Sequence, residues 1–286
     1  MTVDDYLISR GFSRRLIIQL KKDPAFLTLD RLPVRTIDRL SSGSVLRTVL
    51  PPEESSERMV PVSMDLDIIY EDEDLLIVNK AADVPIHPSN GNFSNTLANG
   101  LAWHFAQKGE SFVFRVINRL DRDTTGLLIV AKHALAACIL SGMVSRQQIH
   151  RTYLAAVEGN LSTGFLPLSA AITIPIARVP GSVIERQTDW VRGEPACTHY
   201  SFLSYNPRTD TSLVELRLKT GRTHQIRVHM KYLGYPLPGD FLYNPDYRYI
   251  GRQSLHSWKL AFSHPITKEP LAFTAAVPND MTVFFC

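Results

Sequence analysis

A mixed α+β fold preceded by a small basic unit is what this sequence predicts, on three observations. From about residue 65 onward, short apolar runs rich in Val, Ile and Leu recur between Gly, Pro and Asp turns, the mark of strands and hairpins. Within that region 134-ALAACILSGMVSRQ-147 and 222-RTHQIRVHMKYLG-234 have helical composition, the second ending on a Gly stop. The stretch 50-LPPEESSERMVPVSMD-65, with its prolines and acidic and serine neighbours, reads as an exposed linker that divides residues 1–50 from 65–286.

In chain order, Ser13 caps a helix across 14-RRLIIQLKKD-23, and Pro24 helps to stop it. Leu16, Ile17 and Leu20 share one helical face, and Arg14, Arg15, Lys21 and Lys22 share the other, with Ile18 out of place among them. Residues 26–50 read as short strands with turns at Asp30-Arg31 and Ser41-Ser42-Gly43. Beyond the linker, 66-LDIIYEDEDLLIVNK-80 holds two strands around an acidic turn. The run 127-LLIVAK-132 is a buried type of strand, and 150-HRTYLAAVE-158 is another strand. In 212-SLVELRLKTG-221 the alternation puts Val214, Leu216 and Leu218 on one face. Finally 258-WKLAF-262 and 271-LAFTAAV-277 flank the turn 264-HPITKEP-270 as a hairpin.

The 286 residues suit one large domain or a medium domain with an appendage, and 44% hydrophobic with 21% charged residues is ordinary for a globular protein. The net charge of +3 is unevenly placed. Residues 1–50 hold nine Lys/Arg and five Asp/Glu, so of the chain's 31 and 28 the remainder keeps 22 and 23. The whole surplus lies in the first fifth, which points to a polyanion-binding appendage. Cys138, Cys197 and Cys286 are odd in number and far apart, which excludes a disulfide framework and a cysteine zinc site. The N-terminus MTVDDYLISRGF lacks a signal-peptide pattern, and no apolar run is long enough to span a bilayer. The expectation is a cytoplasmic protein without a membrane partner.

The chemistry concentrates in two segments. In 118-NRLDRDTTGLLIVAK-132, Asp121 and Asp123 alternate with Arg119 and Arg122 just before a buried strand. A reactive carboxylate needs a fixed rotamer and a nearby cation, whereas Asx turns would use the same residues only to hold backbone N–H groups. The i, i+2 spacing also permits a two-carboxylate reading, although acid/base pairs usually come from separate elements. In 220-TGRTHQIRVHMKYLGYPLPGD-240, a helix starting near Arg222 puts His224 and Arg227 one turn apart on one face, suited to phosphate or to a carboxylate, or simply to solvent. His224 and His229 are five apart, not four, which disfavours a metal site. Tyr153 lies on a strand with Ala155 and Val157, as core or as a stacking face for a base. Lys80 and His87 sit in and after a strand leading to a Pro-punctuated loop of the kind that shapes pockets.

Taken together, 74-DLLIVNK-80, 118-NRLDRDTTGLLIVAK-132, 151-RTYLAAVEG-159, 220-TGRTHQIRVHMKYLGYPLPGD-240 and 255-LHSWKLAFSHPITKEPLAFTA-275 resemble the RluA-type pseudouridine synthases, which isomerise uridine in RNA. Residues 1–50 are similar, more loosely, to the small α/β S4-type RNA-binding domain, through 11-GFSRRLIIQLKKD-23 and 33-PVRTIDRLSSGSVL-46. The resemblance implies a pseudouridine synthase fold, with a mixed, mostly antiparallel central sheet flanked by helices and loops. It implies Asp121 as the catalytic residue, Tyr153 as the ring packed on a flipped base, and Arg227 as the basic partner of Asp121. Arg222 is then a contact to RNA phosphate or a structural ion pair. Arg119 and His224 join Arg14, Arg15, Lys21 and Lys22 as RNA-binding candidates. Departures are Asn118 where the family often has His, Ala81-Ala82-Asp83 where Pro-x-Gly is usual, and the missing Gly and Asn in 23-DPAFLTLDRLPV-34.

The implied reaction needs no cofactor and no metal. The uridine leaves its helix, which costs a few kcal/mol. Asp121 then breaks the glycosidic bond by attack on the sugar or by removal of a C2′ proton, and the base rejoins through C5. Ribosomal RNA is expected as substrate ahead of transfer RNA, with the protein acting as a monomer. Two competing readings are a non-catalytic RNA-binding or ribosome-assembly factor on the same scaffold, which has no use for a carboxylate facing phosphate, and an N-glycosidase, which would release free base.

Overall fold

The computed structural model describes residues 1–55, 59–89 and 93–285, and Cys286 lies outside them. Helix α1 (Val3–Ser9) opens the chain, made by a capping box in which Thr2 and Asp5 satisfy each other's backbone N–H. Helix α2 is Arg14–Leu20, capped by Ser13 as expected but shorter than 14–23. Asp23, forced out of helical dihedrals by Pro24, instead caps a 3-10 turn over Pro24–Phe26. Strands β1 (Leu27–Leu29), β2 (Leu32–Pro33) and β3 (Leu46–Thr48) pair antiparallel in the order β2-β1-β3. Asp30 and Arg31 both have positive φ, which matches the twist of a tight hairpin. Val3, Leu7, Leu16, Ile17, Leu20 and Leu27 form this unit's own apolar cluster, while Ile18 stays exposed.

The described residues of the expected linker, 51–55 and 59–64, touch the body at several points. Glu53 pairs with Arg115 at 2.5 Å, Ser55 accepts from the N–H of Phe112, and Asn99 donates to the carbonyl of Val60. The body follows as β4 (Asp67–Glu71), β5 (Leu75–Lys80), α3 (Leu97–Gln107), β6 (Thr125–Ala131), α4 (Ala134–Ser145) and β7 (His150–Glu158). Next come β8 (Ser169–Ile172), β9 (Ile176–Arg178), β10 (Arg186–Thr188), β11 (Thr198–Asn206), β12 (Thr211–Leu218) and α5 (Gln225–Tyr232). Strands β13 (Leu255–Ser263) and β14 (Pro270–Thr274) complete it.

Nine strands make one sheet in the order β4-β5-β6-β13-β7-β12-β11-β8, with β14 also on β13. Every pairing is antiparallel except β6 with β13. On one face Leu76, Val78, Leu128, Tyr153, Val214 and Leu216 pack against α3 and α5. On the other, Leu75, Ile77, Leu127, Ile129, Leu260 and Phe262 pack against α4. Strand β6 is thus covered on both sides, which explains its unbroken apolar run. At its parallel pairing with β13, Gly126 has φ +107° and a Cβ there would lie 2.2 Å from the carbonyl oxygen of Ser257. Only glycine lets the two backbones meet this closely, and the residues just before it form the functional loop.

Candidate active site

The loop ahead of β6 is held at three successive backbone oxygens, those of Asp121, Arg122 and Asp123. Asn118 mimics a strand edge: its Oδ1 accepts from the N–H of Ile129 at 2.9 Å and its Nδ2 donates to the carbonyl of Leu127 at 3.3 Å. The amide thus anchors the loop where the family often places His. The Asp121 carbonyl accepts from the N–H of Thr124. The buried Lys80 ammonium donates to the carbonyls of Arg122 and Ala81, both at 2.6 Å. Arg252 donates to the carbonyl of Asp123 at 3.2 Å while its guanidinium pairs with Asp280 at 2.7 and 2.8 Å. Burial lowers the Lys80 pKa to about 7 against the pull of Asp123 and Asp121. Neutral lysine still has two N–H donors, one for each carbonyl. Asp83 takes a φ of +58°, the left-handed region in which Asp is tolerated, so the residue replacing the family's Gly still turns the loop.

This support points Asp121 into a cleft of about 620 Å³ that Arg119, Arg122, Tyr153 and Arg222 also line. A recess of about 60 Å³ opens beside it, lined by Asp121, Tyr153, His224 and Arg227. Asp121 Oδ2 accepts from Arg227 Nη1 at 2.9 Å. Among the described residues Oδ1 accepts no hydrogen bond, and the side chain keeps 27% of its exposure. Arg227 is only 1% exposed. Its Nε and Nη2 donate to both oxygens of the fully buried Asp240 at 2.6 Å, and its guanidinium lies 5.0 Å from the Tyr243 ring centre. Burial opposes the Arg227 charge, but hydrogen bonding to Asp240 and the field of Asp121 outweigh it, so its pKa is raised. Arg227 is thereby a permanent cation between two carboxylates, one structural and one facing the cleft.

Asp123 pairs with Arg122 at 3.2 Å and is absent from the cleft walls, so the two-carboxylate reading does not hold. Tyr153 is 4% exposed, and burial raises its pKa, so it stays a protonated phenol with a ring at the cleft wall. Helix α5 begins at Gln225 and not near Arg222, because the Gln225 side chain turns back to the N–H of Arg222 and the hydroxyl of Thr220. His224 is the N-cap residue in left-handed conformation. It still faces the recess, where its Nδ1 meets the Tyr243 hydroxyl at 2.9 Å. Burial lowers the His224 pKa.

Arg222 pairs with Glu194 at 2.5 Å and, with Arg119, also lines a neighbouring hollow of about 410 Å³. Arg178, Arg186 and Arg192 line it too. Arg178 and Arg186 are directly opposite across the β9–β10 hairpin, a repulsive placement for a protein alone. Among the described residues no carboxylate pairs with Arg119, Arg178 or Arg186. Arg14 is held by Asp4, and Arg14, Arg15, Lys21 and Lys22 are all exposed on the N-terminal unit, none of them lining the cleft.

Asp240, Arg252, Asp280 and the hairpin arginines escaped the sequence reading. Asp240 had one signal, a Pro-Gly-Asp turn closing a basic segment, and Gly239 before it has φ +73°. A possible cation cluster, Asp72, Asp74 and His264, is structural. His264 Nδ1 accepts from the N–H groups of Ile266 and Thr267, so Nε2 carries the proton toward Asp72 and no ring lone pair is left for an ion.

The arrangement is a carboxylate with one free oxygen, fixed by a guanidinium and flanked by an aromatic ring, at the floor of a cationic cleft. It is suited to chemistry on a nucleotide taken out of its stack. The pattern of the RNA pseudouridylate synthase family matches residues 74–232, which contain Asp121, Tyr153 and Arg227. The chain is 40% identical to an uncharacterized RNA pseudouridine synthase, YjbO, of Bacillus subtilis (strain 168), over 99% of this chain and 97% of that one. It is 37% identical to the ribosomal large subunit pseudouridine synthase D of Zymomonas mobilis, over 98% and 86% respectively. In structure it is similar to human RNA pseudouridylate synthase domain containing 1, with a TM-score of 0.60, 28% identity, and coverage of 74% and 83%.

Proposed function

Since this chain belongs to the RNA pseudouridylate synthase family and is an RNA pseudouridine synthase, we propose that Asp121 opens the glycosidic bond of a uridine flipped out of ribosomal RNA. The observation that carries this is the 2.9 Å pair between Asp121 Oδ2 and the buried Arg227 in a cleft walled by Tyr153. The guanidinium fixes the carboxylate's rotamer, and the free Oδ1 either attacks C1′ or takes the C2′ proton. Stacking on Tyr153 returns about 1–3 kcal/mol of the cost of unstacking. The freed uracil turns and its C5 bonds to C1′, which breaks the Asp121–C1′ ester or returns the proton to C2′; the C5 proton is then lost to solvent and N1 gains one.

Arg119, Arg222 and His224 meet the RNA beside the target, and the like-charged hairpin pair Arg178 and Arg186 is reconciled by phosphate between them. Residues 1–50 act as an S4-like RNA-binding domain, 51–64 join it, and 65–286 catalyse. Arg15, Lys21 and Lys22 are exposed for phosphates, while Arg14 must first leave Asp4. Large-subunit ribosomal RNA is favoured by similarity to ribosomal large subunit pseudouridine synthases, including that of Zymomonas mobilis. The protein works in the cytoplasm as a monomer. Mapping pseudouridine in ribosomal and transfer RNA from cells with and without the gene tests the reading: a ribosomal position should revert to uridine. Maps that differ only in transfer RNA would overturn the choice of substrate, and identical maps would overturn the proposal.

A further inference from the structure

The sheet carries a second groove, of about 530 Å³, on the face turned away from Tyr153. The registers place it. Tyr153 opposes Leu216, and Leu216 opposes Tyr200, on the face of the cleft. Thr152 opposes Arg217, and Arg217 opposes His199, so alternation sends these three to the reverse face. The groove therefore runs below the start of β7 and the end of β12.

Its lining is cationic. His150, Arg151, His199, Arg217 and Lys219 contribute, and among the described residues Glu215 is the sole acidic one in it. Glu215 is occupied by Arg217 at 2.7 Å. Among the described residues Arg151 and Lys219 pair with no carboxylate, and the buried Nε of Arg151 has no hydrogen-bond partner. Such a donor costs free energy unless something outside the chain takes it up. Arg217 and His199 are also direct cross-strand neighbours, which repel whenever the imidazole is charged.

Arg151, Val144 and Leu218 line both this groove and the catalytic cleft. The two thus adjoin at the strand ends, with Arg151 in the wall of both. We infer that the reverse-face groove binds the phosphodiester backbone of the substrate RNA where it continues from the extruded uridine, with Arg151 at the junction and Lys219 and Arg217 beyond it. The inference rests on the RNA reading of the cleft. RNA is the occupant that charge and adjacency select, since a strand anchored in the cleft must leave it along a wall. An acidic protein would use the charge but not the adjacency.

The test is filter binding of an unmodified large-subunit ribosomal RNA transcript across a range of KCl, with release of tritium from 5-tritiated uridine measured on the same transcript. For Arg217→Ala/Lys219→Ala the slope of log affinity against log salt should become shallower by about 1.4, two contacts at about 0.7 each on a single strand. Its KM should rise while kcat holds. Glu215→Gln, which removes the carboxylate that competes with phosphate for Arg217, should tighten binding at low salt. The charge-matched control Lys259→Ala/Lys268→Ala, on the β13–β14 hairpin, should keep the wild-type slope. Equal slopes in the groove variant and wild type, or an equal loss in the control, overturn the inference. Tighter binding of an acidic protein than of RNA through Lys219 also overturns it. Failure of the catalytic reading would show separately, as no tritium release from the wild type, and leaves the slope comparison valid.

Discussion

Asp240→Asn separates what holds Arg227 from what Arg227 holds. In the native site the guanidinium gives Nε and Nη2 to Asp240 and Nη1 to Asp121, all away from solvent. The substitution keeps an acceptor for the N–H groups of Leu242 and Tyr243, now bound by Asp240 Oδ1. It removes the charge and turns an amide donor toward a guanidinium donor. Breaking one partner of a buried pair costs about 3–5 kcal/mol. At roughly 2–4 °C per kcal/mol for chains approaching this size, the melting temperature should fall by about 6 °C or more. Asp121→Asn behaves differently, because Arg227 keeps its two-pronged grip on Asp240 and position 121 faces the cleft. That loss should be about 1 kcal/mol or less. Calorimetric melting of both proteins, with pseudouridine formation on the same preparations, gives the comparison. Asp240→Asn should be destabilised and also about a hundredfold slower, as expected for a shift of about 1 Å in a reacting group. Equal melting temperatures for the two variants, or an Asp240→Asn protein as stable as the wild type, would refute this division of roles.

Three more outcomes are expected. Tyr153→Phe should bind RNA as the wild type does, while Tyr153→Leu should bind about 1–3 kcal/mol more weakly in filter binding; equal binding by the Leu variant would remove Tyr153 from the base platform. Gly126→Ala should cost on the order of 3 kcal/mol in denaturant unfolding, since its Cβ meets a backbone oxygen at 2.2 Å, whereas Gly251→Ala, with open space around it and no positive φ, should cost much less. The pKa of His256, bonded to Thr125 at the base of the loop, is lowered to about 4 by burial and then by Arg252. The unfolded chain protonates first, so this stabilisation is full above about 6.5 and is lost as pH falls toward 4. His256→Gln should flatten that part of the urea-stability profile between pH 6.5 and 4.

Strands β6, β7, β12 and β13 were legible because their apolar runs are long and each buries at least one face against a helix. The Ser13 cap was legible because its hydroxyl acts on the next turn, with no tertiary help. Helix α1 and its Thr2–Asp5 capping box carried a readable signal that is easily passed over in so short a helix. Strands β8 to β11 were unread: β8, β9 and β10 are only three or four residues long, β8 pairs with β11 well along the chain, and β11 mixes polar residues into its apolar run. The start of α5 was misplaced because a side chain, Gln225, supplies the bonds that helix propensity was expected to supply. Asp121, Tyr153 and Arg227 were named through a resemblance, and they converge. Asp240 and the Arg252–Asp280 clamp were hidden because a buried charge is recognised only with its partner, here 13 and 28 residues away.

The central claim is that the Asp121 carboxylate does the chemistry while Arg227 holds it in place. The direct measurement is turnover of 5-tritiated uridine in RNA by purified Asp121→Asn, after matching its fold and RNA affinity to the wild type. Retained folding and binding with no tritium released is the predicted result. Tritium release at the wild-type rate by that variant would contradict the account.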